Sequence, residues 1–351
     1  MQYTQLGSSS LRVSKLCLGT MMMGSQTSKR ESKQIMSAAC EAGINFFDTA
    51  EMYSIPPNTE TQGNSERYIG EWLKERGKRD DIIIATKVTG RSQMHWIRGY
   101  KDPSVELCLN AANINHAIDN SLRRLQTDYI DLYQIHWPDR PLPLFGSKHN
   151  EASLDNPEYI SITETLHALA ELIKAGKIRH IGISNENLNG VREYLRLSAQ
   201  AGLPNIATIQ NAYSLVNREF EDGLADYCQQ HRVGLLPYSI LAMGYLTGKY
   251  LAGKVPEGTR KALFNNLSRY NKLADDHIVE RYKSIADSIG LTLNELAHAF
   301  VYQQPFVDAT IIAANTRAQL AENIKAYGIE LAPETNAAID KVHQQEPSPC
   351  P

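Results

Sequence analysis

The chain has 351 residues, 42% of them hydrophobic, enough to bury a full core either as one large α/β barrel or as two medium domains. A formal net charge of -3, a pI near 6.4 and the lack of any dense Lys/Arg block leave no electrostatic footprint for a nucleic acid. The five cysteines, Cys17, Cys40, Cys108, Cys228 and Cys350, are scattered and contain no Cys-x-x-Cys pair, which argues against a disulfide framework or a zinc site.

The opening segment lacks a basic stretch followed by an apolar one, and no run approaches the roughly 18 apolar residues of a membrane span, so a soluble cytoplasmic protein is expected. Residues 2–6 and 11–14 flank Gly7-Ser8-Ser9-Ser10 and read as a small β-hairpin. Strand-like and helix-like stretches then alternate. Runs at 15–18, 45–48, 82–86, 129–135, 178–183, 206–210, 233–237 and 309–312 make eight βα units. Between them, Ser65 to Leu73 places Tyr68, Ile69, Trp72 and Leu73 on one helical face, and Ser161-Ile162-Thr163-Glu164 resembles a capping box. With no linker or composition break, the pattern predicts a single domain over residues 1–351, a (β/α)8 TIM barrel. Pro333 to Val342 reads as an extra C-terminal helix, followed by a Pro-rich tail expected to be mobile. Connections at about 88–109, 137–160 and 242–275 are longer than ordinary βα loops and follow strands, on the face where barrels bind ligands.

Four ionisable side chains, Asp48, Tyr53, Lys87 and His136, stand at or just beyond three of these strand ends. Any one of them alone would read as a polar group finding a structural partner; together they suggest one assembled site. Acid–base work, salt bridging and metal ligation all remain open for such a set. Metal ligation is disfavoured because the first barrel strand, Leu16-Cys17-Leu18-Gly19, ends without paired histidines. Ser184, in Gly182-Ile183-Ser184-Asn185-Glu186, lacks the second glycine of a nucleophile elbow.

The segment Gly43-Ile44-Asn45-Phe46-Phe47-Asp48-Thr49-Ala50-Glu51-Met52-Tyr53 resembles the signature of the aldo-keto reductases. Lys87 in Ala85-Thr86-Lys87-Val88 and His136 in Gln134-Ile135-His136-Trp137-Pro138 match the rest of that family's tetrad, and the resemblance covers nearly the whole chain. Within the family, Glu51-Met52-Tyr53, Pro56-Pro57, Glu60-Thr61-Gln62-Gly63 and Leu125-Gln126-Thr127-Asp128-Tyr129 resemble a bacterial Tas-type branch. The resemblance implies NADPH-dependent reduction of an aldehyde or ketone, without a metal. Carbonyl reduction needs a hydride on carbon and a proton on oxygen. Tyr53 is expected to donate that proton, Lys87 to lower its pKa, Asp48 to keep Lys87 charged, and His136 to orient the carbonyl.

No Gly-x-Gly-x-x-Gly follows an early strand, so the cofactor is expected on late barrel loops. By resemblance, Ser184, Asn185 and Gln210 hold the nicotinamide carboxamide, with Thr20, Met21 and Asp48 also in the cofactor site. Tyr238 is expected to stack on the nicotinamide, Ser239, Ile240, Leu241, Ala242, Met243 and Gly244 to wrap the pyrophosphate, and Lys249 to face phosphate. Arg260 matches a position at the adenosine 2'-phosphate and favours NADP over NAD. Asn315, Gln319, Glu322 and Asn323 match the adenine end, while Ala313 stands where relatives carry glycine and could crowd that end. Tyr53, His136 and Trp137 line the expected substrate pocket, with Met21 and Tyr213 as apolar neighbours. Potassium-channel β-subunits share these features, so an NADP(H)-binding regulatory subunit is the alternative to an enzyme.

Overall fold

The computed structural model describes residues 1–147, 150–264 and 267–350. Parts of the long connections 137–160 and 242–275, and the last residue of the tail, lie outside the described residues. Strands β1 (Tyr3–Gln5) and β2 (Arg12–Ser14) pair antiparallel as the expected hairpin. The chain then alternates through β3 (Leu16–Gly19), α1 (Lys29–Glu41), β4 (Phe46–Asp48), α2 (Asn64–Arg76), β5 (Ile83–Val88), α3 (Ala111–Leu125), β6 (Ile130–Ile135) and α4 (Ile162–Lys174). It continues with β7 (Ile178–Ser184), α5 (Leu188–Ala201), β8 (Ile206–Gln210), α6 (Leu224–His231), β9 (Gly234–Leu235), α7 (Arg260–Phe264), α8 (His277–Ser288), α9 (Leu293–Tyr302), β10 (Thr310–Ala313), α10 (Arg317–Lys325) and α11 (Pro333–Gln345).

The eight strands β3 to β10 form one parallel sheet in the order β10-β3-β4-β5-β6-β7-β8-β9. Its outer strands meet: Asp308 N donates to the Leu235 carbonyl at 3.1 Å and Ile311 N to the Pro237 carbonyl at 3.0 Å, which closes the barrel. Strand β9 is shorter than the run 233–237, although hydrogen bonding to the β8 side continues past it, with Leu236 N donating to the Ile209 carbonyl at 2.8 Å and Tyr238 N to the Asn211 carbonyl at 3.1 Å. No helix among the described residues is long and apolar enough to cross a membrane.

Strand residues alternate between two cores. Leu16, Leu18, Phe47, Ile84 and Tyr133 face the surrounding helices, while Cys17, Phe46, Ala85 and Leu132 pack inside the barrel with Leu6 and Val13 of the hairpin segment. The hairpin therefore plugs the amino-terminal end. Helix boundaries follow local chemistry: Ser28 with Glu31 and Thr292 with Glu295 form reciprocal capping boxes on α1 and α9. Ser161 caps α4 by accepting from Glu164 N, without the return bond of a full box.

The tail departs from expectation. Cys350 is fully buried, its N–H donates to the Val216 carbonyl at 3.1 Å, and Ser348 Oγ accepts from Arg218 N at 3.0 Å. Those contacts dock the tail on the loop after β8, an attachment that depends on residues some 130 positions earlier in the chain.

Gly70 gives a test of α2–α3 packing. An alanine in a helix interior normally gains about 1 kcal/mol over glycine. Here a β-carbon would overlap the Arg124 carbonyl oxygen and lie 2.6 Å from the Leu125 carbonyl carbon, both backbone atoms. Gly70→Ala is therefore expected to destabilise the fold by about 1–3 kcal/mol in urea denaturation, against the helix-propensity sign; a stabilised variant would disprove the close approach.

Candidate active site

The two-residue strand period builds the site. Phe46, Ala85 and Leu132 form one inner layer, so Asp48, Lys87 and Gln134, each two positions later, form the next layer toward the carboxyl ends of the strands. Register pairs Lys87 with Gln134, whereas Asp48 pairs with Ala85, two residues before Lys87, so it is the Asp48 side chain that reaches Lys87 across the stagger of the strands. Lys87 is fully buried and donates from Nζ to Asp48 Oδ1 at 2.5 Å and to the Thr49 carbonyl at 2.8 Å. Asp48 Oδ2 accepts from Gln134 Nε2 at 3.1 Å and from Gln210 Nε2 at 2.8 Å. Both carboxylate oxygens are thus used, and the side chain has one orientation.

Burial acts to strip the Lys87 proton, but Asp48 and then Tyr53 outweigh it and hold the ammonium pKa above the ordinary lysine value. For Tyr53 burial wins: it raises the phenol pKa, Lys87 pulls it down, and Asp48 adds to the rise. The attraction to Lys87 expected from sequence is present, yet the net shift is upward. Tyr53 accordingly keeps its proton at neutral pH, with Lys87 Nζ 4.9 Å from the ring centroid. His136 is pushed well below the ordinary histidine value, first by burial and then by Lys87, and is neutral. Its ring stands edge-on to Tyr53 with centroids 5.5 Å apart, and its Nδ1 is buried without a hydrogen-bond partner. An orphaned buried nitrogen beside a protonated phenol is a place where a polar ligand atom fits.

Late strand ends complete the surroundings. Asn185 Nδ2 donates to the His136 carbonyl at 2.8 Å and to Ser184 Oγ at 3.0 Å, while Asn185 Oδ1 accepts from Tyr238 OH at 2.6 Å. Ser184 Oγ donates to the Gln210 carbonyl at 2.7 Å, so Ser184, Asn185, Gln210 and Tyr238 are linked. Thr20 is buried, its hydroxyl donating to the Asp48 carbonyl at 2.8 Å and paired with Ser65 Oγ at 2.6 Å, which ties the end of β3 to β4. Met21 packs against the cluster that contains Met52 and Tyr53.

The segment after β9 turns through a run of left-handed residues: Ser239, Ala242, Met243 and Gly244 have φ of 58°, 46°, 53° and 102°. Ile240 and Ala242 are buried and Leu241 half-buried. The φ of Gly244 favours glycine, while the atom a β-carbon would crowd, Lys249 Cε at 2.6 Å, is the movable end of a flexible side chain. Burial and the neighbouring Arg260 lower the Lys249 pKa, and burial lowers that of Arg260. Among the described residues neither cation has a carboxylate at ion-pair distance, although Arg260 Nη2 contacts the Met22 sulfur at 2.9 Å. Two unneutralised cations beside left-handed backbone fit a phosphate.

At the far end, Asn315 Nδ2 donates to Gln26 Oε1 at 3.2 Å and Asn315 N to Gln319 Oε1 at 2.8 Å. Glu322 is exposed. Buried Asn323 donates to the Ala313 carbonyl at 3.0 Å, and the Ala313 side is exposed. Among the described residues no cluster of three His, Cys, Asp or Glu side chains could hold a metal ion.

Sequence reasoning marked the connection 88–109 as lying on the ligand-binding face but named no wall residue in it, and it did not single out Gln134. Gln134 carried a signal, being a polar residue in an otherwise inward apolar alternation. In the long connection, a 3-10 turn at His95–Arg98 places Ile97 in one cluster with Met52 and Tyr53, with Met94, Trp96, Tyr100 and Trp137 packed against it. Arg98 anchors that turn: Nη2 donates to Glu51 Oε1 at 2.9 Å and to the Thr89 carbonyl at 2.7 Å, with both ionic groups buried. Tyr213, expected beside the substrate, instead donates to Glu221 Oε1 at 2.6 Å and stacks on Phe300.

The model of the aldo/keto reductase family matches residues 15–344. Protein tas of Escherichia coli is 46% identical over 351 residues, covering 100% of both chains. Aldo-keto reductase YhdN of Bacillus subtilis is 31% identical, covering 97% of this chain and 93% of its own length. A probable voltage-gated potassium channel subunit beta of Oryza sativa is also 31% identical, covering 99% of this chain and 98% of its own.

The buried pair makes a pH-dependent prediction. Because the Lys87 pKa is raised, the stabilisation from its charged form is present at neutral pH and is lost only as pH rises through that pKa. In Asp48→Asn burial dominates, the folded pKa falls below the unfolded value near ~10.4, and folding must release a proton. The variant should lose about 3–5 kcal/mol at pH 7 and recover part of it by pH 9.5, read by urea denaturation at both pH values. A loss of the same size at both would show that Asp48 does not hold the charge of Lys87.

Proposed function

The chain belongs to the aldo/keto reductase family, and from that premise we propose that it reduces an aldehyde or ketone to the alcohol, reversibly, using NADPH. The observation that carries this reading is the buried chain Asp48–Lys87–Tyr53 beside a neutral His136. When bound, NADP(H) supplies or accepts the hydride. Tyr53, protonated at neutral pH, gives its hydroxyl proton to the carbonyl oxygen and takes it back in the reverse direction. Lys87, held charged by Asp48, stabilises the phenolate that donation leaves. His136, neutral, hydrogen-bonds the same oxygen and orients it without competing as an acid. Met21, Met94, Trp96, Ile97, Tyr100 and Trp137 exclude water from the reacting carbon.

Lys249 and Arg260 would hold the phosphates on the left-handed turn after β9, with Tyr238 and the Ser184–Asn185–Gln210 group at the nicotinamide end. Asn315, Gln319, Glu322 and Asn323 would take the adenine end. A second reading, an NADP(H)-binding regulatory or redox-sensing subunit, is favoured by the plant potassium-channel relative that spans nearly the whole chain. Turnover separates the two: purified protein with NADPH should oxidise it in the presence of aromatic and aliphatic aldehydes, and no oxidation above blank across such a panel would leave the regulatory reading.

Tyr53→Phe should lower kcat by roughly 10²–10⁴-fold while leaving NADPH affinity within about twofold, because the hydroxyl acts on the transition state. Fluorescence titration alongside steady-state rates checks this, and equal loss of both would remove Tyr53 from the proton-donor role. Arg260→Ala should weaken NADPH roughly 10- to 100-fold with little change for NADH; an unaltered cofactor preference would place Arg260 elsewhere than at the 2'-phosphate.

A further inference from the structure

Most arginines that leave the surface in this fold are matched by an acid. Arg79 pairs with Asp131, Arg98 with Glu51, Arg124 with Glu66, Arg140 with Glu186 and Arg218 with Glu221. Arg269, on the connection after β9, is half-buried and has no carboxylate at ion-pair distance among the described residues. Glu219 senses its charge only at longer range. Two tyrosines face it instead: Nη1 donates to Tyr238 OH at 3.2 Å, and Tyr270 lies beside it. Its Nε is buried and donates to nothing. Holding a guanidinium this way costs free energy that an acidic partner would offset.

Its position says where such a partner would come from. On one side, Arg269 contacts Tyr238, Tyr238 contacts Asn185, and Asn185 holds the His136 carbonyl. On the other, the guanidinium lies 5.6 Å from the Phe145 ring, Phe145 is edge-on to Trp137 at 6.2 Å, and Trp137 is 4.9 Å from His136. The contacts close a circuit of His136, Trp137, Phe145, Arg269, Tyr238 and Asn185. A molecule whose carbonyl oxygen lies at Tyr53 and His136 extends its remaining atoms inside that rim. Across it stand aromatic rings and one cation lacking an acid.

We propose that Arg269 recognises a carboxylate on the substrate, so that this site takes carbonyl compounds carrying a second, acidic group separated from the carbonyl by an apolar spacer. The proposal rests on the reductase reading of the same site. Guanidinium suits a carboxylate because its planar donors match two oxygens, whereas the aromatic rim accommodates the spacer. Arg269 binds substrate; it takes no part in proton transfer.

The test compares 4-carboxybenzaldehyde with its neutral counterpart methyl 4-formylbenzoate. Calorimetric binding to the full chain in the presence of NADP+ is read beside kcat/KM with NADPH. The native protein should prefer the acid by tenfold or more in both measurements. Arg269→Gln, which keeps a donor for Tyr238, should lose that preference roughly 10- to 100-fold, through KM, with NADPH affinity unchanged within about twofold. Arg269→Lys should retain part of it. Equal effects on acid and ester, or weakened NADPH binding with the acid-to-ester ratio intact, would overturn the proposal. Binding that prefers the acid through Arg269 without turnover would sustain it and defeat the reductase reading. Turnover without preference would do the reverse.

Discussion

The upper half of this barrel is organised around one constraint, that an ammonium group is buried in its interior. Lys87 is fully inaccessible, and an isolated charge there would shed its proton. Asp48 prevents this, and its own second oxygen is occupied by Gln134 and Gln210 from two other strands. Four strands therefore converge on a single carboxylate. The geometry of Tyr53 and His136 follows, because the phenol borders the Lys87 charge and that same charge helps keep the imidazole neutral.

A second layer of buried ionic contacts holds the long connections that would otherwise be free to move. Glu51 pins Arg98 and the 3-10 turn next to Tyr53. Asp139 accepts from Arg91, from Leu109 N and from Ile160 N, joining the connections after β5 and β6. Arg140 and Glu186 are bonded through both oxygens at 2.9 Å and 2.6 Å, fixing the loop after β7. Such pairs contribute little net stability against an apolar alternative, but each is directional, and together they specify one arrangement of the rim. Arg269 is instructive by contrast, since among the described residues it shares with Lys249 and Arg260 the lack of a carboxylate at ion-pair distance.

Much of this was legible in the chain itself where the chemistry is local. Asp48 and Tyr53 lie within one short segment, and Lys87 and His136 close or follow apolar runs, so strand periodicity alone brought the four toward one rim. The eight strand runs and the hairpin needed only apolar pattern and turn residues. Gln134 shows the limit: it is one more polar residue in a strand until the inward face is known, and then it becomes a ligand of Asp48. The docked tail and the wall of Met94, Trp96, Ile97 and Tyr100 depend on contacts between distant segments that no local pattern encodes.

The sign of the Tyr53 shift separates the two levels most clearly. Residue identity establishes that a lysine near a phenol lowers its pKa. Whether that attraction or desolvation prevails depends on how completely the surrounding strands exclude water, and here burial prevails. By itself, then, the sequence determined the element order, the barrel and the kinds of group at the strand ends, because these follow from periodicity and short-range motifs. Tertiary structure alone decided which oxygen each donor meets, which cations lack an acid and which protonation state each group keeps, because desolvation and ion pairing are set by residues brought together from across the chain.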